Sequence, residues 1–192
     1  MNILTSFNLD PDLTSQTPSA VENRVQEAVN SFFTANLKKF NAVFRRSLVL
    51  AQIDALDPAI LNSKMEIKLR QGFVPTTGVT LTYTVSFPVA LAVPDDINIT
   101  VTSTRFTFNS QTCKIQNKLN TNTLQIISTD GTIEVDNAGS YDTAKGTVTL
   151  TGFTPTAFEG SEIIIDAIPA NQSTVRPLRN YILDIDLSLI HI

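Results

Sequence analysis

Apolar residues recur at helical spacing near the start of the chain and at every second position later on. Val21, Val25, Ala28, Val29, Phe32, Phe33, Leu37 and Phe40 fall three or four apart, the repeat of one face of an α-helix. Glu22, Arg24, Gln26, Glu27, Lys38 and Lys39 stand between them, and acids early with bases late suit the helix dipole. Ser19-Ala20-Val21-Glu22 fits a capping box, so the helix is predicted to start at Ser19. Its broad stripe with paired phenylalanines reads as an ordinary core face. The competing reading is a partner-binding helix. Ser47 is placed as the cap of a second helix reaching Leu56. Asp57-Pro58 reads as the start of a further helical turn, because proline is tolerated at the first helical position. That turn is predicted to end near Asn62-Ser63. Residues 1–18, polar and carrying Asp10-Pro11-Asp12, are read as a linker or the end of a preceding domain, and residues 19–63 as a helical segment.

After Ser63 the period changes to two. Met65, Ile67 and Leu69 alternate with Lys64, Glu66, Lys68 and Arg70, and Val79, Leu81, Tyr83, Val85 and Phe87 alternate with Thr80, Thr82, Thr84 and Ser86. Such segments read as half-buried strands. The alternation Ile97, Ile99, Val101 slips phase before Phe106 and Phe108, which suggests a bulge or bend. Further strands are predicted over 113–119, 124–128, 132–135, 146–151, 162–167 and 181–186. Asp130-Gly131, Asn137-Ala138-Gly139, Lys145-Gly146 and Ile168-Pro169 supply turns between them. The expected fold class is α+β, an N-terminal helical segment followed by mainly antiparallel β structure, with residues 64–186 as the β-rich domain. Leu187-Ser188-Leu189-Ile190-His191-Ile192 reads as the translation of a sequencing-library transposon end, so 187–192 is expected to be a non-native tail, the alternative being a genuine apolar end of a C-terminal strand.

Composition narrows the function. Of 192 residues, 42% are hydrophobic and 17% charged, enough apolar material for a packed core. The net charge of −4 gives no basic footprint for nucleic acid and no attraction to an anionic membrane. A single cysteine, Cys113, excludes an internal disulfide. No run approaches a membrane span, and no basic start with an apolar segment marks a signal peptide. The glycan-acceptor patterns Asn98-Ile99-Thr100 and Asn171-Gln172-Ser173 are read as chance matches.

Catalytic chemistry finds no constellation. The one histidine, His191, lies in the suspect tail, so no histidine base serves a nucleophile. Zinc needs several Cys or His ligands, and the glycines form no phosphate loop. Glu134 with Asp136, and Asp184 with Asp186, stand two apart and share a strand face. A glycosidase pair or calcium site is the sharper reading and a solvated strand face the plainer one. Asp95-Asp96 is a further close pair. No cofactor, metal or small-molecule substrate is expected. Arg176 and Arg179 stand out in Thr174-Val175-Arg176-Pro177-Leu178-Arg179-Asn180, either as ordinary surface pairs or as positioned contacts to a neighbouring subunit.

Several stretches together resemble a known family. The first is Gly139-Ser140-Tyr141-Asp142-Thr143-Ala144-Lys145-Gly146-Thr147-Val148-Thr149-Leu150-Thr151-Gly152-Phe153. The second is Ile163-Ile164-Ile165-Asp166-Ala167-Ile168-Pro169, followed by Arg176-Pro177-Leu178-Arg179-Asn180-Tyr181-Ile182-Leu183. The third is Phe40-Asn41-Ala42-Val43-Phe44-Arg45-Arg46-Ser47, with Ile53-Asp54 and Ile60 after it. In this order they are similar to the C-terminal region of the baseplate wedge subunit of contractile-tailed phages, from about Val21 to Asp186. The family's protein is much longer, so the chain is expected to be a C-terminal fragment. The resemblance implies a virion protein of the tail baseplate, made in the host bacterial cytoplasm. It implies pairing with a second copy and with other wedge proteins, in a ring around the tail hub that changes shape on contraction. No enzymatic residues carry over. Candidate interface residues are Phe32, Phe33, Phe40, Arg176, Arg179 and Asn180. The rival reading is a β-rich adhesin or carbohydrate-binding module, motivated by threonine-rich strands but short of stacking aromatics, with no Trp and three Tyr. A carboxylate-based hydrolase built on Glu134 and Asp136 is a third reading.

Overall fold

A computed structural model describes residues 1–177, 182–184 and 186–191, the last stretch by its backbone alone. In chain order the elements are β1 (Asn2–Leu9), α1 (Pro18–Asn36), β2 (Phe44–Arg45), α2 (Arg46–Asp54) and β3 (Ile60–Phe73). Then come β4 (Leu81–Ser86), β5 (Val101–Ser103), β6 (Phe106–Phe108), β7 (Gln111–Asn117), β8 (Thr123–Ser128), β9 (Ile133–Asp142) and β10 (Thr147–Phe153). The chain continues through β11 (Ala157–Phe158), β12 (Ile163–Ala167), β13 (Thr174–Val175) and β14 (Asp186–His191). Two compact units result. One joins Met1–Lys68 to Asn171–Ile192, and the other is Leu69–Ala170, inserted within it.

In the first unit β1 lies between two strands. It pairs antiparallel with the first part of β3, Ile3 opposite Ile67 and Thr5 opposite Met65, and parallel with β14. The residues expected to be an appended tail thus supply most of β14's backbone. Ile3, Thr5 and Phe7 are buried on one side of β1, the alternation a strand requires. Helix α1 buries Val21, Val25, Val29, Phe32 and Phe33 and packs against α2. The Phe33 ring stacks on Phe44 of β2 at 5.5 Å. A second, two-stranded sheet pairs β13 with β2, Val175 opposite Phe44. The last residues of the chain therefore complete the unit begun by the first.

The second unit is antiparallel throughout. The end of β3, then β12, β5, β7, β8, β9, β10 and β4 follow one another across the sheet, with β6 beside β7 and β11 beside β6. Phe73 of β3 and Tyr83 of β4 belong to the first and last strands in this order, yet their rings lie 5.1 Å apart. The sheet is thus curled on itself. Ile115, Leu124, Val148, Leu150, Phe153, Ile163 and Ile165 fill its interior. Arg70 and Asp166 stand directly opposite across β3 and β12, joined by Nε–Oδ1 at 2.9 Å and Nη2–Oδ2 at 3.3 Å. Two-point guanidinium–carboxylate bonding fixes register as well as adding energy.

The hairpin between β9 and β10 shows how sequence sets local structure. Asp142 Oδ1 accepts from the Ala144 and Lys145 amides at 3.0 and 2.9 Å, and the Gly146 amide donates to the Asp142 carbonyl at 3.0 Å. Gly146 has φ +68°, and a Cβ there would collide with the Val89 carbonyl oxygen. Only glycine meets both demands without displacement.

Several expectations need correction. The chain opens with a strand, not with a linker and helical segment. Within residues 1–18 the inward positions are Ile3, Thr5 and Phe7, and Thr5 hides the apolar alternation. Helix α1 is capped by Thr17, whose hydroxyl accepts from the Ala20 amide, with Pro18 in the first turn. Phe40 lies beyond its end. The turn at Asp57-Pro58 leads directly into β3 at Ile60 rather than into a helix. Asn137-Ala138-Gly139 is no turn: it continues β9, where Gly139 at φ +141° lets the strand press against β10. Ile97 is loop, and the strand it was assigned to begins at Val101. Of the predicted strand 181–186, residues 182–184 are not strand, while Tyr181 and Ile185 lie outside the described residues.

Three carboxylates hold turns of the second unit. Asp95 accepts from the Asn98 side chain and from the Asn98 and Ile97 amides. Asp130 accepts from the Ser128 hydroxyl and the Thr132 amide. These bonds hold both carboxyls below the usual range, led by the Asn98 and Ser128 side chains respectively. At Asp142 the Lys145 amide leads the same lowering. Each pKa is lower folded than unfolded, so the stabilisation is complete above the unfolded value of about 4 and fades as pH falls through the folded values. Urea midpoints should hold from pH 7 to about 4.5 and drop below about pH 4. The variant carrying Asp95→Asn, Asp130→Asn and Asp142→Asn should show a shallower acid limb. An unchanged limb would contradict the assignment.

Candidate interaction surface

The expected interface residues part company in the structure. Phe32 and Phe33 are packed inside the first unit at 7% and 1% exposure, rings 6.0 Å apart. Their side chains are therefore not offered at the surface of the folded chain, because the apolar stripe of α1 is used up in the core. Phe40 is the reverse: it stands 66% exposed in the connection after α1, with Val43 also exposed. Arg176 is exposed, just after β13. Arg179 and Asn180 lie outside the described residues.

Glu134 and Asp136 are each engaged by a separate partner. Asp136 is bound by Lys118 at 2.6 Å, and Glu134 accepts from Asn109 at 3.5 Å. Asp184 is exposed, and the Asp186 side chain lies outside the description. Among the described residues no group of three His, Cys, Asp or Glu could hold a metal ion. Cys113 is buried, and burial leads the causes that push its thiol up, away from the thiolate form that reacts. Among the described residues no helix is long and apolar enough to cross a membrane.

Each unit carries a concave feature among its described residues. In the second unit a groove of about 590 Å³ is lined by Asn122, Ser140, Asp142, Thr147 and Thr149 beside Tyr141. Tyr141 is only 3% exposed, so this hydroxyl-rich surface has no ring on which a sugar could stack. In the first unit a cleft of about 420 Å³ is lined by Arg45, Arg46, Ser47, Leu50, Ser173 and Thr174. The β2–β13 pairing brings these distant segments together, with the Arg46 amide donating to the Ser173 carbonyl at 3.0 Å. The Arg46 guanidinium is held by the Met65 carbonyl at 3.3 Å and Ser173 Oγ at 3.4 Å. In the sequence, Arg45 and Arg46 stand out only as part of the Phe40-to-Ser47 motif. The dibasic pair beside Ser47 was the available signal, but its partner segment lies over a hundred residues away.

Exposed apolar side chains on the second unit were also missed as surface features. Val93 and Ile97 are 74% and 81% exposed. The Asn120 amide donates to the Asp95 carbonyl at 2.8 Å, which places exposed Leu119 in the neighbouring loop.

Residues 2–72 match the family described as baseplate structural protein gp6, C-terminal domain III. The resemblance to the C-terminal region of a baseplate wedge subunit stands on this match. The match includes β1, where a linker was expected, and the Phe40-to-Ser47 motif with Ile53, Asp54 and Ile60. The quoted stretches 139–153 and 163–183 lie outside it. The family is one of structural proteins rather than enzymes. No curated protein matches the chain.

Proposed function

We propose that this chain, matched over residues 2–72 to a baseplate structural domain, is a non-enzymatic component of a contractile phage tail baseplate. The observation that carries the reading is that match. It spans β1, both helices and nearly all of β3, the greater part of the first unit. In this reading the chain is a wedge subunit. It assembles with a second copy and with other wedge proteins into the ring around the tail hub. Phe40, exposed in the matched segment, and Arg176, exposed near β13, are its contact candidates.

Gold-labelled antibody against the chain should decorate the baseplate end of tailed particles in electron micrographs. Labelling confined to tail fibres, capsids or host surfaces would overturn the reading. Light scattering at micromolar concentration should give a dimer mass, and a monomer alone would count against self-pairing.

A further inference from the structure

We propose that the cleft between β2, the start of α2 and β13 is a docking site for carboxylate side chains of an acidic segment on a partner protein. The chain carries 18 acids against 14 Lys and Arg, yet this cleft is lined by two arginines and no acid. Among the described residues no carboxylate forms an ion pair with Arg45 or Arg46. Arg45 and Arg46 bring two positive charges to the lining of one cleft, and an incoming anion offsets them.

The cleft is built rather than incidental. Arg46 is oriented by its bonds to the Met65 carbonyl and Ser173 Oγ. The Asn171 side chain fixes the approach to β13 by accepting from the Ser173 and Thr174 amides at 2.9 and 3.0 Å. Ser47, Ser173 and Thr174 add hydroxyl groups around the arginines. Guanidinium forks match the planar geometry of carboxylates. Leu50 provides an apolar surface for the methylene stem of a glutamate, which a bare inorganic anion cannot use. At about 420 Å³ the space also exceeds what one small ion needs. This reading concerns the ligand class of one cleft and stands apart from the baseplate assignment.

The test is a titration of the isotope-labelled full chain, followed by amide chemical shifts, with capped hexaglutamate as probe. Capped hexaglutamine and inorganic phosphate at matched ionic strength are the other arms. Saturable shifts are expected at Arg45, Arg46, Ser47, Ser173 and Thr174, weakening as salt is raised. Arg45→Gln should reduce affinity about fivefold, the scale of a partly exposed ion pair. Arg45→Lys should fall between, keeping charge but losing the fork. Unchanged shifts elsewhere in the spectrum will show that both variants fold. Equal binding by hexaglutamine, unaltered affinity in Arg45→Gln, or phosphate binding as tightly as the peptide would each overturn the proposal.

Discussion

Replacing Arg24 with alanine is expected to destabilise the first unit by about 1.5–3 kcal/mol, the range for losing a charge-assisted hydrogen bond to a buried carboxylate that keeps other donors. Arg24 reaches from α1 to Asp57, Nη1 to Oδ2 at 3.2 Å, and its Nη2 donates to the Leu56 carbonyl at 2.6 Å. Asp57 is 5% exposed, whereas Arg24 is 39% exposed. The asymmetry decides which substitution costs more. Without Arg24, the Asp57 carboxylate stays buried with only weaker donors: Thr14 Oγ1 at 3.3 Å, Gln16 Nε2 at 3.5 Å and the Ala59 amide at 3.0 Å. Without Asp57, Arg24 is left where water can reach it. Arg24→Ala should therefore cost more than Asp57→Asn, and adding Asp57→Asn to Arg24→Ala should recover part of the loss. Urea unfolding of the three variants measures each difference. A loss below about 1 kcal/mol in Arg24→Ala would place the pair among ordinary surface salt bridges.

Arg24 also shows where sequence reading stops. In the chain it was one polar residue among several on the outer face of a predicted helix. Its role depends on Asp57, 33 positions later, lying in a turn that the sequence pattern assigned to a helix start. The same limit explains β1. Its alternation Ile3, Thr5, Phe7 is short and interrupted by a polar residue, and pairing with β3 makes it a strand. Local chemistry was legible where it was strong: the stripe of α1, the alternation of β3 and β4, and the turns at Asp130-Gly131 and Lys145-Gly146. Gly139 was misread because a glycine needed for close approach within a strand looks the same as one needed for a turn. The joining of the first unit's two chain segments rests on the pairing of 174–175 with 44–45, which no local pattern encodes. The arginine cleft depends on that same pairing, so its lining could not be assembled from the sequence.

Phe153→Ala is expected to cost the second unit about 3–5 kcal/mol, the usual range for emptying a phenylalanine site in a core. Phe153 is 1% exposed and sits among three other rings. Their centroids lie 5.0 Å away at Phe106, 6.1 Å at Tyr83 and 6.2 Å at Phe73. All three contacts are edge-to-face, at interplanar angles of 82°, 87° and 61°, and such pairs add about 0.5–1.5 kcal/mol each beyond burial. The position is reached through an irregularity in β10. Register shifts between Leu150 and Phe153, and Gly152 at φ +66° turns the strand before Phe153. Phe153 thus bridges the two strands, β3 and β4, whose approach curls the sheet. Because the ring is shared by both, its removal should loosen that closure as well as open a cavity. Phe153→Leu keeps most of the volume but loses the edge-to-face geometry, so it should cost distinctly less. Faster amide exchange along β4 in Phe153→Ala, beside a lower urea midpoint, is the expected signature. If midpoint and exchange both matched the parent, the ring cluster would not be what holds the sheet closed.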